Sequence, residues 1–327
     1  MKCARCDQIA VFESKPSHMA LCRGHFMESV EKRFRTEIRK QVHFRNGNTT
    51  IGVAISGGKD SSVLLYLLWK TLNKKRNVIL KAFTIDEGIE GYRNAGLISA
   101  QNLCKELGIS HDTISFRDGF NTEMDKVVRN GNLEGSPCAY CGPMRRDLMN
   151  RMSEEFQADY VALGINLDDY SQSIMMNVLR GDYDKMLRMA PHRNLVDGLV
   201  PRIIPLRKIY EKEVKLYAIL AGIEHDMGWC PYSMEAQRNK VRDLLNRIEE
   251  ESPGTKLAIE GFLEKLQQAG IGENAATLTQ KCSICGNPSN GPVCQGCIRS
   301  GRFKEDQVPT QKKITKRRVF QAILNSN

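Results

Sequence analysis

No apolar run in this sequence reaches the roughly 18–20 residues needed to span a bilayer, and the N-terminus does not read as a secretory leader. A cytoplasmic protein with no membrane partner is therefore expected. Two common nucleotide-binding signatures are also missing: neither the GxxxxGK(S/T) loop nor the GxGxxG fingerprint occurs. No internal repeat is visible. A disulfide framework is excluded on different grounds, because that solution belongs to small secreted domains and this chain is large and lacks an export signal.

What is present is enough to build a real core. The chain has 327 residues, 41% hydrophobic and 26% charged, which allows one large α/β domain with appendages or two domains. Its formal net charge of +10 suits a polyanionic partner without requiring one. The 11 cysteines are more telling. Ten fall into groups: Cys3, Cys6, Cys22 (with His25); Cys138, Cys141 and a distant Cys230; and Cys282, Cys285, Cys294, Cys297. Cys104, inside a helical stretch, reads as an ordinary buried thiol.

Strand-like runs at Thr50–Ile55, Val78–Ile85, His111–Phe116, Tyr160–Gly164 and Leu199–Leu206 alternate with helical periodicity at Ser61–Leu72, Ala95–Leu107, Asp147–Phe156 and Ser171–Arg180. This alternation predicts a Rossmann-like parallel sheet with helices on both faces. The expected organisation is a zinc knuckle over 1–26, a basic linker helix over 27–48, a catalytic domain over 49–235, a helical extension over 236–275, a zinc ribbon over 276–300 and a basic tail over 301–327. The linker carries Lys32, Arg33, Arg35, Arg39 and Lys40, and the tail Lys312, Lys313, Lys316, Arg317 and Arg318.

The strongest local signal is Ser56-Gly57-Gly58-Lys59-Asp60-Ser61, between a strand and a helix. Adjacent glycines let backbone N–H groups turn toward a phosphate, and the following helix aims its positive end at the same anion. Ser56 and Ser61 can donate hydroxyls, and Lys59 adds charge. The central cysteines leave three chemistries open. Three thiolates, one short of a closed zinc site, suit a catalytic zinc, an iron–sulfur cluster with one iron free, or a redox pair of Cys138 and Cys141 carrying a persulfide. The terminal sets have structural zinc spacing, CxxC–x15–CxxH and CxxC–x8–CxxC, and Gly286, Pro288, Gly291 and Pro292 supply turns in the second.

SGGKDS after an apolar strand resembles the PP-loop of the ATP pyrophosphatase superfamily, whose members cleave ATP between its α and β phosphates. The lysine in the loop looks like the tRNA-sulfurating branch, where amide-forming relatives carry another residue. Asp86-Glu87-Gly88-Ile89-Glu90-Gly91-Tyr92-Arg93 resembles the DEGIxGYR segment of tRNA 2-thiouridine synthetases, and Gly164-Ile165-Asn166-Leu167-Asp168-Asp169 their GHNxDD, with Ile165 in place of histidine. The resemblance covers nearly the whole chain. It implies a 4Fe-4S cluster on Cys138, Cys141 and Cys230, a basic group at Arg145, and Asp169 as the catalytic aspartate with Asp168 next to it. ATP would be bound by Ser56–Ser61, Asp86 and Gly164, with Mg²⁺ on Asp60 or Asp169. Two zinc modules flanking the domain favour uridine over the 2-thiocytidine branch.

The implied chemistry is adenylation of uridine O2 in tRNA, then displacement of AMP by sulfur. The sulfur donor would be free sulfide or a ubiquitin-like protein thiocarboxylate, and a homodimer is compatible. The YSMEAQR stretch after Cys230 leans toward the wobble-uridine group over the T-loop group. Three rivals compete: an amide-forming ligase, which leaves the cysteines idle; a zinc-stabilised RNA-binding protein, which leaves the loop idle; and an iron-free persulfide thiolase.

Overall fold

The structure, a computed structural model, describes residues 1–44, 47–131, 133–192, 199–235, 238–271, 280–289 and 291–302. The cationic run at Lys312–Arg318 and the Ala236-Gln237 pair of YSMEAQR lie outside them.

The chain begins with a hairpin, β1 (Phe12–Ser14) and β2 (Met19–Leu21), followed by α1 (Arg23–Gln41). The central domain then runs β3 (Thr49–Ala54), α2 (Lys59–Leu72), β4 (Val78–Asp86), α3 (Arg93–Leu107), β5 (Ser110–Ser115), α4 (Phe116–Phe120), α5 (Met124–Arg129), α6 (Cys138–Glu155), β6 (Tyr160–Leu163), α7 (Leu167–Leu179), α8 (Tyr183–Leu187), β7 (Arg202–Ile203) and α9 (Glu211–Ala221). A 3₁₀ turn (Pro231–Glu235), α10 (Arg238–Glu251) and α11 (Thr255–Gln268) follow. The last elements are β8 (Gln280–Lys281), β9 (Pro288–Ser289) and α12 (Gln295–Arg299).

Strands β3 to β7 form one parallel sheet in the order β5-β4-β3-β6-β7. Alternation along the strands sends Ile51, Val53, Ile55 and Ala82 to one face, against α1, α2, α3 and α9. Phe83, Ile85 and Val161 go to the other, against Phe116 of α4 and Met144 and Leu148 of α6. Each fully buried leucine of α2 contributes about 1.5–3 kcal/mol, so Leu64, Leu65 and Leu68 alone fix this helix on the sheet. The parallel sheet covered on both faces is the architecture expected from the alternating pattern.

The chain direction reverses at β3: the path goes outward to β4 and β5, then returns to β6 on the other side. Loops leaving the carboxyl ends of β3 and β6 therefore open side by side, where ligands bind in sheets of this kind.

Three elements differ from the sequence reading. Helix α6 begins at Cys138 instead of Asp147 and runs through Pro143, where the lost intrahelical bond is offset by the burial of Met144 and Leu148. Helix α7 begins at Leu167, four residues early, capped by the Asn166 side chain accepting from Asp169 N at 3.0 Å. The final strand shrinks to Arg202–Ile203, a two-residue edge.

Helix α1 is packed into the domain. Phe26, Val30, Phe34 and Ile38 are its buried stripe. Several of its basic groups are spent internally: Arg33 pairs with Glu213 at 2.6 Å and Arg35 with Glu31 at 3.5 Å. The helical extension is likewise tied down. Buried Arg207 holds Glu37 of α1 at 2.6 Å and Glu260 and Glu264 of α11 at 3.2 and 2.8 Å.

Candidate functional site

The Ser56–Ser61 loop closes on itself before any ligand arrives. The Ser61 hydroxyl donates to Gly58 O at 3.0 Å and accepts from Ser56 N at 3.1 Å, while Gly58 N donates to the Ser56 hydroxyl oxygen at 3.4 Å. Gly57 has φ +81°, and a Cβ there would sit 1.9 Å from Gly96 O of α3, so only glycine fits. Gly164, leaving β6, passes so close that a Cβ would lie 2.9 Å from the Asp60 carbonyl carbon and Ser61 N. The N-cap of α2 is Gly58 and no side chain caps the first turn, so the positive end of the helix stays available to an anion.

Charged groups from distant segments line this loop. Lys59 Nζ donates to Asp60 at 2.9 Å and to Glu211, at the start of α9, at 2.7 Å. Burial pulls the Lys59 ammonium toward neutrality, but the two carboxylates outweigh it and hold its pKa above the ordinary lysine range. Asp60 also accepts from the Asn166 amide at 2.9 Å, which joins the β3 and β6 loops.

Asp168 and Asp169 separate cleanly. Asp168 is buried, ion-paired with Lys256 of α11, and accepts from Glu211 N at 2.8 Å, so it braces α7, α9 and α11 together. Asp169 keeps 39% of its side chain exposed and meets Arg238 at 3.2 Å. Desolvation raises its carboxyl pKa, and the nearby Asp60 and Glu211 add to the rise while Arg238 opposes it. Asp169 is the more accessible of the two aspartates.

The cysteine site adjoins the loop. Cys138 and Cys141 lie in the first turn of α6, and Cys230 precedes the 3₁₀ turn; Cys138 is exposed and the other two are half-buried. Burial pushes the Cys141 thiol up to about 11 against the pull of Arg145, and burial likewise raises Cys230. Cys138, Glu87 and Arg145 all act electrostatically on both thiols. Among the described residues, only the two terminal sets bring ligand atoms all within 4.8 Å of one another. The central three offer a donor set of three thiols, which suits a cluster.

One buried carboxylate connects the two halves. Glu87, 1% exposed, accepts from Arg93 at 2.8 and 2.9 Å and pairs with Arg145 at 2.5 Å. Arg93 donates a further N–H to Ser56 O at 3.1 Å. Two sets of hydrogen bonds and one close ion pair thus link the phosphate-type loop to the cysteine helix. Asp86, at the end of β4, accepts from Gly88 N at 2.9 Å and shapes the same turn.

Comparison with known proteins bears on this pairing. The PP-loop domain model ATP_bind_3 matches residues 27–248. The tRNA 2-thiolation protein NcsA of Haloferax volcanii is 37% identical over 91% of this chain and 97% of its own length. The chain belongs to the PP-loop family of tRNA sulfurtransferases. The tRNA-5-methyluridine(54) 2-sulfurtransferase of Pyrococcus horikoshii is 30% identical over 93% of this chain and 95% of its own. The solved structure of the U34-tRNA thiolase NcsA from Methanococcus maripaludis with its 4Fe-4S cluster superposes with a TM-score of 0.80 at 32% identity, covering 95% of this chain and 99% of that one.

The terminal modules have the dimensions of tetrahedral sites. Cys3, Cys6 and Cys22 Sγ lie 3.4, 3.5 and 3.4 Å from His25 Nδ1, with Cys6 and Cys22 3.7 Å apart. Cys285–Cys294 and Cys282–Cys297 separations are 3.6 and 3.9 Å. Thiolates about 2.3 Å from one tetrahedral zinc would be ~3.8 Å apart. Burial opposes ionisation of Cys3 and Cys282, but backbone N–H groups directed at each sulfur outweigh it and lower both thiols to about 6. The C-terminal module sits on α6: Asn287 donates to Asp147, and the Arg299 guanidinium covers the Tyr140 ring at 4.6 Å.

Of the residues singled out from sequence, Gly164 and Asp169 lie against the loop, Arg145 lies beside Cys141 and Cys230, and Asp86 ends the strand that leads into the Glu87–Arg93 link between the two groups. Glu211, Asn166, Glu87 and Arg93 were not selected. The last three lie in segments quoted for their family resemblance, which was the available signal. Glu211 has none, since it is 152 positions from Lys59.

Proposed function

We propose that this enzyme converts a uridine of tRNA to 2-thiouridine, exchanging C2=O for C2=S while ATP leaves as AMP and pyrophosphate, with the wobble uridine as target. The observation that carries the reading is the Ser56–Arg93–Glu87–Arg145 path, which links the Gly-rich loop to the helix that bears Cys138 and Cys141. Either half alone would suit one of the rivals; together they suit adenylation followed by sulfur insertion. The likeness to the solved U34-tRNA thiolase NcsA, at 32% identity and a TM-score of 0.80, supports the wobble position.

In this reading the β and γ phosphates lie against the Ser56–Ser61 N–H groups and the start of α2. Lys59 releases its pairing with Glu211 and turns onto the pyrophosphate, offsetting charge as the α–β bond breaks. Asp60 and Asp169 hold Mg²⁺. Uridine O2 attacks the α phosphorus, and AMP is then the leaving group at C2. Cys138, Cys141 and Cys230 would hold a 4Fe-4S cluster, which supplies an iron without a protein ligand, able to keep sulfide deprotonated near neutral pH. Arg145, beside these thiols, compensates anionic charge there. The sulfur comes from free sulfide or a protein thiocarboxylate. The two terminal sets take one zinc each.

The test is anaerobic purification followed by incubation with ATP, sulfide and unmodified tRNA. AMP formation dependent on tRNA, and 2-thiouridine located by nuclease mapping at the wobble position, are the expected results. Thiolation confined to the T-loop would overturn the choice of target. ATP turnover indifferent to tRNA would overturn the reading itself.

A further inference from the structure

Trp229 immediately precedes Cys230 and is 77% exposed, with Met227 beside it 75% exposed. A single exposed aromatic is unremarkable by itself. Its backbone, however, is held at both ends by the reacting halves of the cleft. On one side Asp226 N donates to Gly57 O at 2.8 Å, and Gly58 and Asp226 form a parallel bridge. Gly228 N donates to the Asp226 carboxylate at 2.9 Å, tightening the turn. On the other side Ser233 N and its hydroxyl both bond Cys230 O, at 2.9 and 2.6 Å, and Tyr232 is anchored to Asp125 at 2.7 Å.

The indole is thus carried on a fixed segment between the nucleotide loop and a cysteine of the sulfur site. Its ring joins none of the aromatic or cation–π pairs among the described residues. A large apolar face is left in water on the segment that joins the two halves. Unpaired bases are held by stacking on such faces, and enzymes acting on a base must take it out of its own stack.

We propose that Trp229 is the platform on which a base of the tRNA stacks as it enters the cleft. This rests on the tRNA-thiolation reading and adds a positioning residue to it. Stacking binds without touching the reacting carbonyl, so Trp229→Ala should raise the tRNA KM about tenfold to a hundredfold, with the ATP KM and metal content unchanged. Trp229→Phe, which keeps a ring, should stay within about threefold of wild type.

The chain has only one other tryptophan, Trp69 of α2, packed 6.0 Å from Tyr66. Trp69→Phe therefore leaves Trp229 as the sole indole reporter. Saturable quenching of its emission by unmodified tRNA, at concentrations where filter retention shows binding, is the expected result. Bound tRNA with unchanged emission, or a wild-type KM in Trp229→Ala, would sink the stacking role alone. Absence of tRNA binding by the wild-type chain would sink the underlying reading and this one with it.

Discussion

Arg93 grips the buried carboxylate of Glu87 with two N–H groups and donates a third to the carbonyl of Ser56. Because Arg145 meets the same carboxylate, one acid fixes the relative placement of two sites contributed by different elements. Glu87→Gln would leave two guanidinium groups facing a neutral amide. Breaking a buried pair in this way costs about 3–5 kcal/mol. The denaturation midpoint should fall accordingly, and retention of iron and affinity for ATP should weaken together. Loss of one without the other would show that the path does not couple the halves.

The two adjacent aspartates should fail differently. Asp169→Asn should abolish tRNA-dependent AMP formation while leaving the melting temperature within a few degrees, because Asp169 is half-exposed. Asp168→Asn removes the partner of buried Lys256 and a charge at the start of α9, so it should lower stability by about 3–5 kcal/mol. Thermal melts and AMP assays on both variants check this.

Lys59→Met should reduce the rate of AMP formation about 10²–10³-fold, the usual effect of removing a group aimed at developing negative charge. Glu211→Gln loosens the resting pairing of Lys59 but leaves the lysine in place. Its effect should stay below about tenfold and fall on the ATP KM, as read by steady-state kinetics at varied ATP.

Burial, helped by the nearby Arg202 guanidinium, holds the His192 imidazole down to about 4. Its unfolded value is near 6.5. The neutral form is therefore favoured by folding; its contribution to stability is complete above pH 6.5 and is lost as pH falls from 6.5 to 4. Urea titrations across this window should show His192→Asn losing less stability than wild type. Parallel slopes would refute it.

Chelation of the terminal metals should unfold the small modules, since units with so little core fold on their metal. Two zincs per chain are expected by elemental analysis. Cys297→Ser should remove one and, through Asn287 and Asp147, also lower iron retention at Cys138 and Cys141.

Legibility followed the range of the interactions. The SGGKDS loop was readable because strand, glycine turn and helix start are contiguous in sequence. The terminal Cys/His sets were readable because each pair of close cysteine or histidine positions comes from one tight turn. The start of α6 was not, because Gly142 and Pro143 resemble a helix breaker and only tertiary packing of Met144 and Leu148 carries the helix back to Cys138. Asn166, and neither of the two aspartates, caps α7, which leaves Asp168 and Asp169 for separate duties. Helix α9, with Glu211, leaves no local mark of its contact with Lys59.

The seat of the C-terminal knuckle on α6 also sets an order of events during synthesis. Asn287 and its anchor Asp147 are 140 positions apart. At 5–20 residues per second the helix bearing Cys138 and Cys141 leaves the ribosome roughly 7–28 s before its clamp exists. The nascent chain therefore carries Cys138 and Cys141 on a helix that rests on the sheet alone until the C-terminal module reaches it.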